Sequence, residues 1–297
     1  MRTIFLTGAN GLIAQAILNT LSTADFKIIA VSKSACAFNA SHCIFEIADI
    51  TDFHLLETLL NKYKPDVVIN CAAISKPDLC EVNLELCWNT NYRAVARLSE
   101  YCTYHNIFLI HFSSDFIFSG KNEVYSEIST PEPLSFYGIS KRESELVIQR
   151  NCEKYAIIRT SLVYGYLPRN NYSNFVLWVV KSLQNKIPIK VVADQYRTPT
   201  YDFDIALAIK VLVNRENIGI SNLAGKDLIS VYDLAMKVAQ IWKLDGGYIE
   251  PVMTSSLNEN ALRPKSTHLD ISKAKNELGY YPNSLSEGLN LLKNRMK

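Results

Sequence analysis

A tyrosine and a lysine four positions apart carry the chemistry that this sequence can do: Tyr137 and Lys141 in Tyr137-Gly138-Ile139-Ser140-Lys141. On a helix, positions i and i+4 share one face about 6 Å apart along the axis, so a phenol and an ammonium would point the same way. An ammonium beside a phenol favours the phenolate and is expected to pull its pKa below the usual value of about 10. A tyrosine so tuned can give its proton to a carbonyl oxygen as hydride reaches the carbon. Ser114 comes just after the apolar run Ile107 to Phe112 and can hydrogen-bond that same oxygen.

A hydride needs a source, and the N-terminus supplies the place for one. Thr3 to Thr7 is a short β-rich apolar run, and from Leu12 the spacing turns helical through Ile13, Ala16, Ile17 and Leu21. Between them lies Thr7-Gly8-Ala9-Asn10-Gly11-Leu12-Ile13-Ala14. A glycine-rich loop between strand and helix aims backbone N–H groups and the positive end of a helix dipole at a pyrophosphate. Gly8 permits the tight turn, Gly11 lets the backbone approach the phosphates, and Ala14 stands where a third glycine would allow close helix packing. Together the two segments point to a nicotinamide-dependent oxidoreductase.

The elements that must position these groups alternate along the first half of the chain. Lys27 to Val31, Cys43 to Ile47, Asp66 to Asn70 and Ile107 to Phe112 read as strands, with helical stretches at Phe53 to Tyr63 and Trp88 to Tyr104. The expected fold is α/β: a doubly wound parallel sheet of the Rossmann kind with a smaller C-terminal substrate-binding lobe, and ligands at the carboxyl ends of the strands. The expected division is a nucleotide-binding domain over 1–160 and a region over 161–297 that mainly forms the lobe and returns segments to the sheet.

The residues at the end of the second strand bear on the cofactor's identity. An NAD enzyme commonly places an acidic residue about 20 residues after the glycines, on the adenosine ribose. Here Val31-Ser32-Lys33-Ser34 closes that strand, and no acidic residue occurs between Phe26 and Phe45. Ser32 and Lys33 suit a 2′-phosphate, so NADPH is expected over NADH. Asp49 and Ile50 could bracket the adenine, and the small run Cys71-Ala72-Ala73 lets a cofactor lie against the sheet.

Composition narrows the class. The chain has 297 residues with 48% hydrophobic content, enough to bury a full core, and a net charge of +2 without a basic run. That gives little reason to invoke nucleic acid or an anionic membrane, and no apolar stretch reaches the roughly 18 residues of a spanning helix. Seven cysteines without a C-x-x-C pair fit scattered thiols in a reducing cytoplasm. His42, His54, His105, His111 and His268 show no ligand spacing, so no metal is expected in the chemistry.

With these residues in place, the sequence resembles the extended short-chain dehydrogenase/reductases, and within them the dTDP-4-dehydrorhamnose reductase group. The resemblance rests on Thr7 to Gly11, Asn70 to Ala73, Ser113-Ser114-Asp115-Phe116-Ile117-Phe118 and Tyr137 to Lys141. It continues through Arg159 to Gly165, Ala193 to Thr200, Arg263-Pro264, Leu278-Gly279 and Glu287-Gly288-Leu289. It implies a catalytic set of Ser114, Tyr137 and Lys141, with Lys141 also holding the nicotinamide ribose. It also implies a pyrophosphate turn of Gly8, Asn10, Gly11, Leu12 and Ile13, and adenine contacts at Asp49 and Ile50.

On the substrate side, the resemblance implies Ser75, Ser114, Phe116, Leu162, Asn174 and Arg197, with Asn174 and Arg197 facing a nucleotide diphosphate. The expected reaction is reduction of a nucleotide-linked 4-keto-6-deoxyhexose, with the sugar chosen by Phe116, Leu162 and the segment Leu167 to Asn174. Phe116 replaces a frequent tyrosine and Leu162 a frequent aromatic residue, so the hexose pocket differs. A homodimer is compatible with the family, but Gln15-Ala16-Ile17 lacks the glutamate that some members use for a magnesium site at their dimer interface.

Three rival readings are weighed. A 4,6-dehydratase usually carries Asp-Glu after its Ser/Thr, whereas Asp115 here precedes Phe116. A 4-epimerase shares the triad but retains NAD, which the missing acidic residue disfavours. A regulatory subunit resembling the methionine adenosyltransferase β subunit would bind NADP without turnover.

Overall fold

The structure is a computed structural model, and it describes residues 1–21, 25–38, 41–167, 174–216 and 218–297. Residues 168–173, most of the segment expected to shape the sugar pocket, lie outside the described residues.

Seven β-strands form the main sheet: β1 (Arg2–Thr7), β2 (Phe26–Ser32), β3 (Ile44–Ile47), β4 (Val67–Asn70), β5 (Phe108–Ser114), β6 (Tyr155–Thr160) and β7 (Gly219–Asn222). Their order is β7-β6-β5-β4-β1-β2-β3, and every pairing is parallel. The strands are short, rich in Ile, Val and Phe, and covered on both faces, as a parallel sheet requires. The order reverses direction between β1 and β4, the crevice where ligands settle in such sheets.

The helices are α1 (Leu12–Thr20), α2 (Phe53–Tyr63), α3 (Pro77–Val82), α4 (Leu84–Trp88), α5 (Ala94–Tyr104), α6 (Phe136–Asn151), α7 (Phe175–Gln184), α8 (Asp202–Arg215), α9 (Val231–Trp242), α10 (Ser272–Leu278) and α11 (Leu285–Arg295). Alternation along the strands sorts them. Ile4 and Leu6 of β1 pack with Ile17 of α1, Ile209 of α8 and Ala274 of α10. Phe5, one residue out of step, packs with Leu56 of α2, Leu98 of α5 and Ile148 of α6 on the other face. A third cluster, built wholly from Tyr164 onward, joins Val179 of α7, Val238 of α9 and Leu289 of α11.

One departure from the sequence reading bears on the site. The stretch Trp88 to Tyr104, expected as one helix, ends α4 and passes through a π-helical turn at Asn89–Arg93 before α5 begins. Such a turn inserts a residue into the helical ladder and re-aims the side chains around it. Here it buries Thr90 and Asn91.

Candidate active site

The carboxyl ends of β1 to β6 open into one cavity of about 1000 Å³ that continues between α7 and the segment Leu257–Arg263. All the cofactor and substrate residues expected from the sequence, from Gly8 to Arg197, stand in its wall. What each side chain does there differs.

At the β1 end, Gly8 has a φ of 66°, and a Cβ on it would lie 2.7 Å from the backbone nitrogen of Ala72. No other residue type fits so close to the end of β4. Gly11 starts α1 without a side-chain cap, so the helix offers its first N–H groups to the cavity. Asn10, expected in the pyrophosphate turn, uses its side chain within the protein. Its amide donates to Ser34 Oγ and Ala35 O at 3.0 and 2.9 Å and accepts from Ala37 N at 3.0 Å, fastening the loop after β2. Any hold on a pyrophosphate at this position falls to the backbone. Lys33 is exposed in that loop, while Asp49, two residues past β3, accepts from Thr51 N and Oγ1 at 2.9 and 2.8 Å.

The expected Ser114, Tyr137 and Lys141 meet at the end of β5. Ser135 caps α6 through Gly138 N, and Gly138 lies against Phe116, where a Cβ would come within 2.3 Å of the Phe116 carbonyl oxygen. That contact seats the first turn of α6 against the end of β5. Ser114 stands beside the Tyr137 phenol and lowers its pKa, while its own Oγ donates to Asp115 Oδ1 at 3.1 Å and accepts from Phe116 N at 3.2 Å; Phe116 packs edge-on against the Tyr137 ring at 5.7 Å. Lys141 is 2% exposed, and its Nζ lies 3.2 Å from His111 Nε2.

The electrostatics reverse one expectation. Burial pushes the Tyr137 phenol well above its ordinary value, opposed by the neighbouring Ser114 and helped by the charge of Asp115. Lys141 is not among the groups that offset this burial; burial also strips water from its own ammonium and lowers it to about 8. Its nitrogen is engaged with His111 as well. Tyr137 is therefore held as a protonated phenol, the form that donates.

The substrate end is built from polar groups that largely bond one another. Arg197 is 3% exposed. Its guanidinium donates to the carbonyl oxygens of Tyr196 and Pro264 at 2.7 and 2.8 Å and to Gln195 Oε1 at 3.2 Å. It lies 3.9 Å from Asp115 and over the Phe116 ring. Asp115 in turn accepts from Ser161 Oγ at 2.7 Å and from Thr267. Asn174 caps α7 through Leu177 N and donates to Gly165 O at 2.7 Å. These expected phosphate contacts serve first as joints of the fold. Leu162 reaches the cavity from a left-handed backbone, φ 38°, a strained position for a branched residue. Ser75 lies exposed at the mouth.

Sequence reasoning missed several wall residues: Lys76 after β4, Trp178 on α7, Lys190, Glu259 and Arg263. Arg263 pairs with Asp78 of α3 and with Glu259, and Asp78 also accepts from Ala261 N, clasping that segment across the cavity mouth. It also missed Asn91, whose amide accepts from Ile74 N at 2.8 Å and donates to Ile74 O at 3.1 Å and so fixes the loop after β4. The interruption Asn89-Thr90-Asn91 inside an otherwise helical run was the available signal. Ser113 Oγ and Thr160 Oγ1, both in the cavity wall, are buried without a protein partner, as expected where a polar ligand completes the bonding. Among the described residues, no group of His, Cys, Asp and Glu could hold a metal, and no helix is long and apolar enough to cross a membrane.

Known proteins share this arrangement over nearly the whole chain. A probable low-salt glycan biosynthesis reductase of Haloferax volcanii is 30% identical, over 96% of this chain and 95% of its own. The methionine adenosyltransferase 2 β subunit of Danio rerio is 26% identical, over 92% of this chain and 84% of its own. A dTDP-4-dehydrorhamnose reductase of Bacillus anthracis, solved in complex with NADP, superposes with a TM-score of 0.89 at 25% identity and 99% coverage of both chains. Matching the RmlD substrate-binding domain over residues 1–297, with the Rossmann-like sheet and the Ser114-Tyr137-Lys141 centre in place, the chain belongs to that family of extended short-chain dehydrogenase/reductase-like proteins.

Proposed function

We propose that this protein is an NADPH-dependent reductase of a nucleotide-linked 4-keto-6-deoxyhexose. One observation carries the reading: the buried Tyr137 phenol and Ser114 stand in the same cavity as an uncapped helix start and a glycine turn. A proton donor and a dinucleotide cradle share one wall.

The residues fit that cofactor. The backbone from Gly8 to Ile13 would hold the pyrophosphate at the positive end of α1. Ser32 and Lys33 would meet a 2′-phosphate, Asp49 and Ile50 the adenine, and Lys141 the nicotinamide ribose. Cys71, Ala72 and Ala73 leave room against the sheet. When bound, reduced nicotinamide supplies the hydride. The chain's own part is to receive the ketone oxygen between Ser114 and Tyr137. Ser114 orients the oxygen, and Tyr137 delivers the proton as negative charge develops on it. The NADP complex of the Bacillus anthracis reductase and the reductase relatives support both cofactor and reaction type.

For the substrate side, residues 161–297 are proposed to supply the lobe. Lys190 and Arg263 join Arg197 and Asn174 around a diphosphate, and Phe116, Leu162 and Trp178 face the sugar and base. The expected result is oxidation of NADPH, monitored at its nicotinamide absorbance, with at least one member of a panel of 4-keto nucleotide sugars. Tight NADPH binding without oxidation by any of them would overturn the reductase reading. It would favour the alternative of a non-catalytic, NADP-binding subunit, in keeping with the similarity to a methionine adenosyltransferase 2 β subunit.

A further inference from the structure

The register of the sheet sets Thr7, Asn70 and His111 side by side on three neighbouring strands: Thr7 of β1 pairs with Asn70 of β4, and Asn70 with His111 of β5. Each is at most 1% exposed, and all three share the face that Phe5, Val68 and Leu109 present to α5 and α6. Apolar side chains would be the ordinary occupants of such a row. Instead, Thr7 Oγ1 donates to Asn70 Oδ1 at 2.6 Å, and Asn70 Nδ2 lies 3.1 Å from His111 Nδ1. His111 Nε2 lies 3.2 Å from Lys141 Nζ and 3.1 Å from Ser144 Oγ. A continuous polar chain therefore runs from the first residue of the glycine turn to the lysine of the catalytic pair.

The chain has a direction. Because the Thr7 hydroxyl donates to the Asn70 oxygen, the amide of Asn70 turns its N–H groups to His111, so Nδ1 accepts and the ring proton sits on Nε2. Ser144 Oγ spends its own proton on Lys141 O at 2.7 Å and can accept from Nε2. Lys141 then faces an imidazole N–H, which tolerates a neutral amine and opposes an ammonium. If Lys141 is charged, Nε2 must accept, the proton moves to Nδ1, and the Asn70 amide and Thr7 hydroxyl must both reverse.

We propose that His111 is a positioning residue for Lys141, locked by Asn70 and Thr7, so that the lysine's protonation is coupled through the sheet to the first residue of the phosphate turn. The other groups facing Lys141 are Glu145 on α6, Cys71 after β4, Cys80 on α3 and Cys87 on α4. Glu145 is itself committed to Arg159 through two bonds of 3.0 and 2.8 Å. His111 is the one that touches the lysine nitrogen and can switch between donor and acceptor. Burial holds its ring far below the ordinary histidine range, so it stays neutral and acts by tautomer.

This rests on NADPH being the ligand and Lys141 its ribose contact, whatever ketone is reduced. The test is NADPH affinity, by nicotinamide fluorescence, from pH 6 to 10. In the unaltered protein, affinity should fall as Lys141 loses its proton near pH 8. In His111→Gln the side-chain amide can turn its oxygen to the ammonium, so the midpoint should rise by about one pH unit. Thr7→Val keeps the shape of the residue but frees the Asn70 amide to reverse; the midpoint should rise in the same direction by a smaller amount. A merely structural row would lower the melting temperature of both variants and leave the midpoint in place. Unchanged midpoints in both would overturn the proposal.

Discussion

The two ends of the cavity are made differently. At the β1 end, the groups offered to a ligand are backbone N–H groups of an uncapped helix, beside glycines that leave room for phosphates. The polar side chains nearby are turned to the protein: Asn10 to the loop after β2, Asp49 to Thr51. At the far end, the polar groups are long side chains, and Arg197, Asn174, Asp115 and Arg263 bond mostly to one another and to carbonyl oxygens. What the first end offers a ligand is its backbone path. The second end commits its donors to the fold, so the proposed binding there is expected to be coupled to stability.

The largest expected effect belongs to neither end but to the centre between them. Tyr137→Phe removes the proton donor and little else, since the ring still packs on Phe116. Turnover of a confirmed ketone should fall by about a thousandfold, while NADPH affinity stays nearly unchanged. Steady-state rates and a fluorescence titration on the same preparation check it. Near-normal reduction by the variant would show that the proton comes from elsewhere.

Next comes the substrate end. Arg197→Ala strands Asp115 and three acceptors in a buried site, so it should cost about 3 kcal/mol or more of unfolding free energy, the scale for breaking a buried charge pair. Urea denaturation measures this. A variant of normal stability whose KM alone rises would break the comparison, because it would make Arg197 a ligand contact first and a joint second.

Gly8→Ala tests the opposite end. A Cβ at φ 66° and 2.7 Å from Ala72 N meets backbone that cannot step aside. The expected cost is about 2 kcal/mol, together with weakened NADPH binding as the turn opens. Denaturation and titration should move together; a shift in stability with NADPH affinity intact would show that the turn is structural only.

Legibility in the sequence divides along the same line. The turn at Gly8 and Gly11, the Tyr137–Lys141 spacing and most strands are local facts, set by φ preferences and periodicity over a few residues. The π-helical turn at Asn89–Arg93 escaped because short-range patterns do not count an inserted residue. The family resemblance implied Arg197 as a diphosphate contact but not its bonds within the fold; its carbonyl partner at Pro264 lies 67 positions away. His111 passed as one scattered histidine because its meaning depends on register, with Asn70 41 positions before it and Thr7 63 before that. The pKa of Tyr137 was misjudged for a related reason: spacing gives the neighbour, but burial gives the medium.

The smallest expected effect sharpens the comparison at its outer edge. Lys33 is exposed and lies where the loop after β2 meets the cavity, so it contributes to a ligand without holding the fold. Lys33→Glu places a negative charge where a 2′-phosphate would sit, in a solvent-screened position. NADPH affinity should drop by about tenfold, less at high salt, because exposed pairs are weak and screened. NADH, which lacks that phosphate, should bind as before, and the melting temperature should hold. Titrating both cofactors at two salt concentrations separates these outcomes. Equal losses for NADPH and NADH would mean that Lys33 supports the loop fastened by Asn10 rather than reading the phosphate, and would place the choice of cofactor at Ser32 or in the backbone of residues 34–37.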